Sequence, residues 1–256
     1  AVMVLFSFNS INSTGVFAGF STYWYRELFR DGATLAALKN TLLLAVSSSL
    51  IATVIGTVAA VGIFKLKSRA AKSAIMTVTN IPMMNPDIVT GISMMLLFVF
   101  VCVRLAGAAS LSFATVLVAH ITFNLPYVIL SVMPKLRQMD RHLTEAALDL
   151  GCTPMQAFWK VELPSIMPGV VSGLIMAFTL SLDDFVISYF TTGSGFETLP
   201  IRIYSMTKKR VTPDMYALST LIFIAVLALL ILSNLAGSRG EKKSRAKAPV
   251  PMEVTK

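Results

Sequence analysis

Charge is scarce in this chain. Only 14% of its 256 residues are Asp, Glu, Lys or Arg, against about 25% in ordinary soluble domains, which excludes water as the main solvent. Cysteine is nearly absent. Cys102 lies in an apolar run and Cys152 in a polar stretch, too few for a disulfide framework and without metal spacing. Histidine is equally rare: His120 falls in an apolar run, His142 in a polar connection. Neither has a sequence partner that would build a catalytic site, so both read as structural. No G-x-x-x-x-G-K-S/T phosphate loop occurs, and no His/Glu or His/Cys cluster has ligand spacing. These absences argue against an enzyme and against a metal or nucleotide held by this chain.

Apolar sequence is what the chain has. Its mean hydropathy is +0.73, and residues 41–64, "TLLLAVSSSLIATVIGTVAAVGIF", carry no charge. A run beyond about 18 such residues reads as a membrane-spanning helix. Further spans are expected at 73–103, 111–133, 166–190 and 215–236. The opening "AVMVLFSF" (1–8) covers only about 12 Å of helix against an apolar core of about 30 Å, and reads as the tail of a first span. It lacks the basic region and cleavage site of a signal peptide. The expectation is an all-α polytopic membrane protein with about six spans, the first truncated. The span at 73–103 is interrupted near "IPMMNPD" by Pro82 and Pro86, a break that neighbouring helices can accommodate.

Basic residues set the orientation. Fourteen fall on one side: Lys65, Lys67, Arg69 and Lys72, then Lys135, Arg137, Arg141 and Lys160, then six in the tail 237–256. The other side has six, among them Arg26, Arg30 and Arg202. The fourteen-side is read as cytoplasmic, together with the connection 134–165 and the tail. The net charge of +9 thus reports topology and not nucleic acid. The fourteen methionines read as packing, not as a metal pathway.

The connection contains "TEAALDLGCTPMQAFWKVELPSIMPG" (144–169), a polar insert in an apolar chain. It reads as helix–turn–helix. Thr144 is the expected cap of the first helix and Gly151 its C′ residue. Thr153 caps the second, with Pro154 at its first position, and Pro164 is expected to stop it. Physical reading alone leaves a short amphipathic loop on the membrane open. The spacing Glu145-Ala146-Ala147, Gly151, Val161 and Leu163-Pro164 resembles the EAA signature of ABC-importer permease subunits, with Val161 where isoleucine is common.

The resemblance covers almost the whole chain. "YWYRELF", "MMNPDIVTGISMMLLF", "HITFNLPYVI", "FTLSLDDFVISYFTTG" and "LPIRIYSM" look like the C-type permease subunits of spermidine/putrescine importers. It implies a type I, MetI-like permease fold over 1–236, followed by the basic tail. It also implies partners: a second homologous permease, two copies of a cytoplasmic ATPase that bind the ATP and magnesium, and an external polyamine-binding protein. Residues 145 to 164 would form a coupling helix seated in the ATPase. The fold's location would be the bacterial inner membrane, with the C-terminus cytoplasmic.

Asp87, Asp183 and Asp184 lie inside expected spans, where each carboxylate costs about 2.5–3.5 kcal/mol and no Lys or Arg of the same span interior offsets it. A polycationic cargo would. The resemblance gives a substrate-route role to Trp24, Asp87, Ser181, Asp183 and Asp184. Local chemistry keeps other roles open. Asn85 would cap a helix that Asp87 stabilises at its N-terminus, and Ser181 would bond back to its own helix. Trp24 would sit in an interfacial aromatic belt or place its face against an ammonium group. Asp183 and Asp184, about 100° apart on a helix, are not expected to face one lumen together. Rival readings are the same architecture moving an opine or aminophosphonate, a proton-coupled carrier relaying through Asp87 or Asp183, and a sensory or scaffold protein that merely docks a partner.

Overall fold

The computed structural model describes residues 2–11, 16–107, 111–193, 195–209, 215–224, 226–228 and 231. Among them the regular structure is helical, with one isolated antiparallel bridge between Asn9 and Phe20. The tail 237–256 lies outside the described residues. Two short helices, α1 (Val2–Phe6) and α2 (Tyr23–Leu28), precede the longest, α3 (Gly32–Lys65).

Helix α3 starts well before the expected residue 41 because Asp31 caps it, accepting from the Ala33 N–H and the Thr34 hydroxyl. The Thr34 bond holds the Asp31 carboxyl below its usual range against the opposing effect of burial. At 34 residues the helix is about 51 Å long, more than the apolar core of a bilayer. Its inward face is small: Thr41, Ala45, Ser48, Ala52, Gly56 and Ala60 are buried at helical spacing. In lipid, such a face lets neighbouring backbones approach. Val128 of α6 (Phe113–Gln138) fills the resulting groove, 2.7 Å from where a Gly56 Cβ would stand. On its other side Val128 backs onto Gly173 of α9 (Leu163–Asp183). Helices α3, α6 and α9 are the heart of the bundle, and at one end Ala60, Ile63, Val132, Leu136 and Ile166 close its core.

Two expected spans are each two helices. The stretch 73–103 becomes α4 (Arg69–Met84) and α5 (Asp87–Ala106). Asn85 does not cap α5; it ends α4, its N–H bonded to the Ile81 carbonyl. The reason is the proline after it, which bars a preceding residue from helical geometry. Pro86, also extended, holds the cap position and Asp87 the first turn. The stretch 166–190 is likewise divided. Helix α9 ends at Asp183, Asp184 is extended, and α10 (Val186–Thr191) restarts the helix. Two further helices, α11 (Leu199–Lys209) and Met215–Ala228, follow, and Leu199 and Leu218 pack with Leu28 and Ala37. Among the described residues, four helical stretches are long and apolar enough to cross a membrane: Gly32–Lys65, Asp87–Arg104, Phe113–Gln138 and Pro154–Asp183.

Candidate functional site

The break between α9 and α10 gathers a cluster of buried polar side chains in the bundle's interior. Ser181, in the last turn of α9, is buried and does not turn back to its own helix. Its Oγ accepts from Asn124 Nδ2 at 2.8 Å, lies 2.9 Å from Ser48 Oγ and 3.1 Å from His120 Nδ1. Ser48 stands near the middle of α3. His120 and Asn124, one turn apart on α6, share a face. The other imidazole nitrogen, Nε2, lies 3.0 Å from Ser188 Oγ and 3.4 Å from Asp184 Oδ2. Asp184 in turn accepts from the N–H groups of Ile187 and Ser188 at 3.3 and 2.8 Å, capping α10. Four helices thus meet through one connected set of side chains. His120 was read as structural, with no sequence partner that would build a catalytic site. It has three partners in the structure, because the fold brings α9 and α10 against the apolar run that contains it.

Asp183 and Asp184 part company here. The Asp184 side chain is 9% exposed, whereas Asp183 is exposed on the surface of the single chain. The cause is the change from helical to extended backbone at Asp184, which turns consecutive side chains apart more sharply than one helix would. Asp87 is exposed at the other break, within electrostatic reach of Tyr127 on α6. Helix α5 also touches α10, Gly91 lying against Phe190 and the Val186 carbonyl, so the two breaks occupy neighbouring elements. Trp24 is half-buried in the N-terminal segment, its Nε1–H donating to the Asn9 carbonyl at 2.7 Å and its ring edge-on to Tyr23.

At one end of the bundle the insert forms a knob. Helix α7 (Arg141–Asp149) begins earlier than Thr144, because Asp140 caps it through the His142 N–H. Glu145 is exposed beside His142, Ala146 is exposed, and Ala147 is buried. Gly151 has φ +83°, the left-handed geometry glycine favours. Its N–H bonds the Leu148 carbonyl and the Cys152 N–H the Ala147 carbonyl, a Schellman ending. Thr153 then caps α8 (Pro154–Ala157) in a reciprocal box with Gln156. Pro164 does not end the second helix. A π-helical turn, Phe158–Glu162, carries the chain directly into α9. The wider turn removes the clash a proline ring makes with the carbonyl one α-turn back. Val161 lies in that turn, and Leu163 packs on the core.

Glu162, between those two signature residues, is a site member that sequence reading did not assign. Its buried carboxylate (4% exposed) pairs with Lys65 at 2.9 Å, at the last residue of α3, and Thr144 of α7 lies 3.5 Å away. The knob is therefore tied both to α9, by continuity, and to α3, by charge. Its outer surface is apolar: Leu150 is 86% exposed, Met155 66% and Trp159 60%.

Residues 52–241 match the family described as "Binding-protein-dependent transport system inner membrane component". The chain belongs to that family. This permease is 38% identical over 242 residues to the putrescine transport system permease protein PotI of Escherichia coli strain K12, covering 94% of the chain and 86% of the relative. It is also 38% identical over 234 residues to the spermidine/putrescine transport system permease protein PotC of the same strain, covering 91% and 86%. Among solved structures, a bacterial ABC transporter that imports the acidic polysaccharide alginate matches with TM-score 0.71 and 14% identity, over 92% of this chain and 87% of that one. The MetNI methionine ABC transporter, in an inward-facing conformation, matches with TM-score 0.57 and 21% identity, over 90% of this chain and all of that one. The permease is thus an all-α, multi-pass inner-membrane subunit of the ABC-importer type. Among its described residues no group of three His, Cys, Asp or Glu is placed to hold a metal.

Proposed function

We propose that the permease conducts polyamines, spermidine or putrescine, inward across the membrane, powered by a separate ATPase. The observation that carries this reading is the 38% identity to putrescine and spermidine/putrescine permeases across more than nine-tenths of the chain. The chemistry agrees with it. Two exposed carboxylates, Asp87 and Asp183, flank breaks in neighbouring elements, and a multiply charged cation would offset the cost of holding them in a bilayer. Trp24 would meet cargo near the opposite end of α3 from the knob, through its ring face.

The knob is the ATPase socket. Leu150, Met155 and Trp159 offer an apolar patch on a rigid turn, rimmed by Glu145, Asp149 and Lys160, the pattern of a helix that seats in a partner's groove. Ala146, Ala147, Gly151, Val161, Leu163 and Pro164 shape that turn rather than touch cargo. With the basic side inward, knob and C-terminus are cytoplasmic. A second homologous permease would close the pathway, an external polyamine-binding protein would load it, and two ATPase copies holding ATP and magnesium would switch it.

The test is uptake of labelled spermidine and putrescine into vesicles holding the full assembly, with opines and aminophosphonates as competitors. Polyamines compete and the others do not. Competition by an opine or aminophosphonate alone would replace the cargo. Uptake that survives ATP depletion but follows the proton gradient would replace the energy source.

A further inference from the structure

The two carboxylates of "SLDD", Asp183 and Asp184, are adjacent in sequence. The geometry separates them by what each already holds. Asp184 is committed: its two oxygens accept from two backbone N–H groups of α10, and one of them also faces His120 Nε2. A carboxylate with that many donors has little left to offer an ammonium group.

Hydrogen-bond capacity fixes the rest of the set. Ser181 Oγ has one proton and two lone pairs for its three neighbours, and Asn124 Nδ2 can only donate to it. An acceptor-only carboxylate at Nε2 requires a proton on that nitrogen. In the neutral ring Nδ1 then accepts from Ser181, which leaves Ser48 to donate into the remaining lone pair. This saturates Ser181 Oγ, with Ser48 also 3.4 Å from the Ala45 carbonyl and Asn124 Oδ1 buried without a partner among the described residues. The set joins α3, α6, α9 and α10 at the break in the fifth expected span, where neither proline nor glycine stands at the interruption.

We infer that Asp184 and His120 are positioning residues that hold the α9–α10 break open, and that Asp183, exposed at the last helical residue before that break, is the one of the two that meets the cargo. The inference rests on the cationic-cargo reading above. His120 acts through Asp184, not on the cargo.

Substitutions with and without hydrogen-bonding capacity distinguish the roles. An asparagine can still cap a helix but cannot attract a cation. Asp184→Ala is expected to cut the maximal uptake rate on the order of tenfold, through loss of the cap and an unpaired imidazole, with little change in KM. Asp184→Asn should recover most of that rate. At Asp183 the pattern inverts: Asn and Ala both raise the KM for spermidine, with no rescue by Asn. His120→Gln, which keeps a donor, should recover more rate than His120→Ala. Assembly with the partner permease and ATPase is followed by co-purification, so that a variant that fails to assemble is recognised. Asp184→Asn remains informative in that event, because a cap-competent variant that fails to assemble or transport contradicts the positioning role. The inference is overturned if Asp184→Asn raises the KM for spermidine as the Asp183 variants do, or if Asp184→Ala changes nothing. Asp183 variants with unchanged KM overturn the Asp183 half of the inference, whereas the cargo reading fails only if the unsubstituted assembly takes up no labelled polyamine.

Discussion

Two of the expected spans break, and they break for opposite reasons. At Asn85–Pro86 the interruption is local: a proline forces its predecessor to be extended, and the carboxylate that follows, Asp87, stands exposed at the start of α5. At Asp184–Phe185 nothing in the local sequence forbids a helix. The chain leaves helical geometry because Asp184 caps α10 and reaches a histidine 64 positions earlier on α6. One break is written in backbone chemistry and the other in tertiary contacts. A break of the first kind persists whatever its neighbours do, whereas one of the second kind lasts only as long as its partners are in place. That makes the second the natural element for a transporter to rearrange.

Substitutions can separate the two kinds. The largest effect is expected from His120→Ala, which leaves the Asp184 carboxylate buried without its partner. The loss orphans buried groups on Ser181, Ser188 and Asp184, at about 1–3 kcal/mol for each, visible as a lowered unfolding temperature of the purified assembly in nanodiscs. Gly193→Ala comes next. Gly193 follows α10 and touches the Leu111 backbone so closely that a Cβ has no room, so about 1–3 kcal/mol of overpacking is expected in the same thermal assay. Pro86→Ala tests the local break. It relaxes a backbone constraint without disturbing a buried partner and should cost about 0.4–1 kcal/mol. A cost as large as that of His120→Ala would erase the contrast between the breaks. Smallest is Asp87→Asn, which removes an exposed charge from a helix N-terminus worth about 0.3–1 kcal/mol. Its signature should be a raised KM for spermidine at nearly unchanged stability.

The same contrast explains what could be read from the chain before its fold was known. The interruption at Pro86, the glycine turn at Gly151 and the Thr153–Pro154 start all follow from local rules, and the helices obey them, whereas Pro82, also expected to break its span, stays inside α4. Asn85 was misread by one residue because cap preference was weighed without the proline's grip on its predecessor. Pro164 was misread because a π turn is a response to packing, not a sequence signal. The polar centre was out of reach for a different reason. Ser48, His120, Asn124 and Ser188 each look unremarkable in an apolar run, and only their convergence gives them meaning. A hint was present: His120 and Asn124 sit four apart in a membrane helix, where polar side chains are costly enough to need partners across a helix interface. Glu162 was similarly hidden, since its partner Lys65 counts in sequence only as one more positive charge on the inner side.

The uninterrupted run from Pro154 to Asp183 has a mechanical consequence. Its 30 residues make a rod about 45 Å long, with the exposed Trp159 near one tip and the α9–α10 break at the other. A rod pivoting by about ten degrees sweeps its far end through about 8 Å at that length, more than the reach of any hydrogen bond. A modest tilt imposed at the knob is therefore amplified into a displacement large enough to unseat or reseat the carboxylates that stand at the opposite tip.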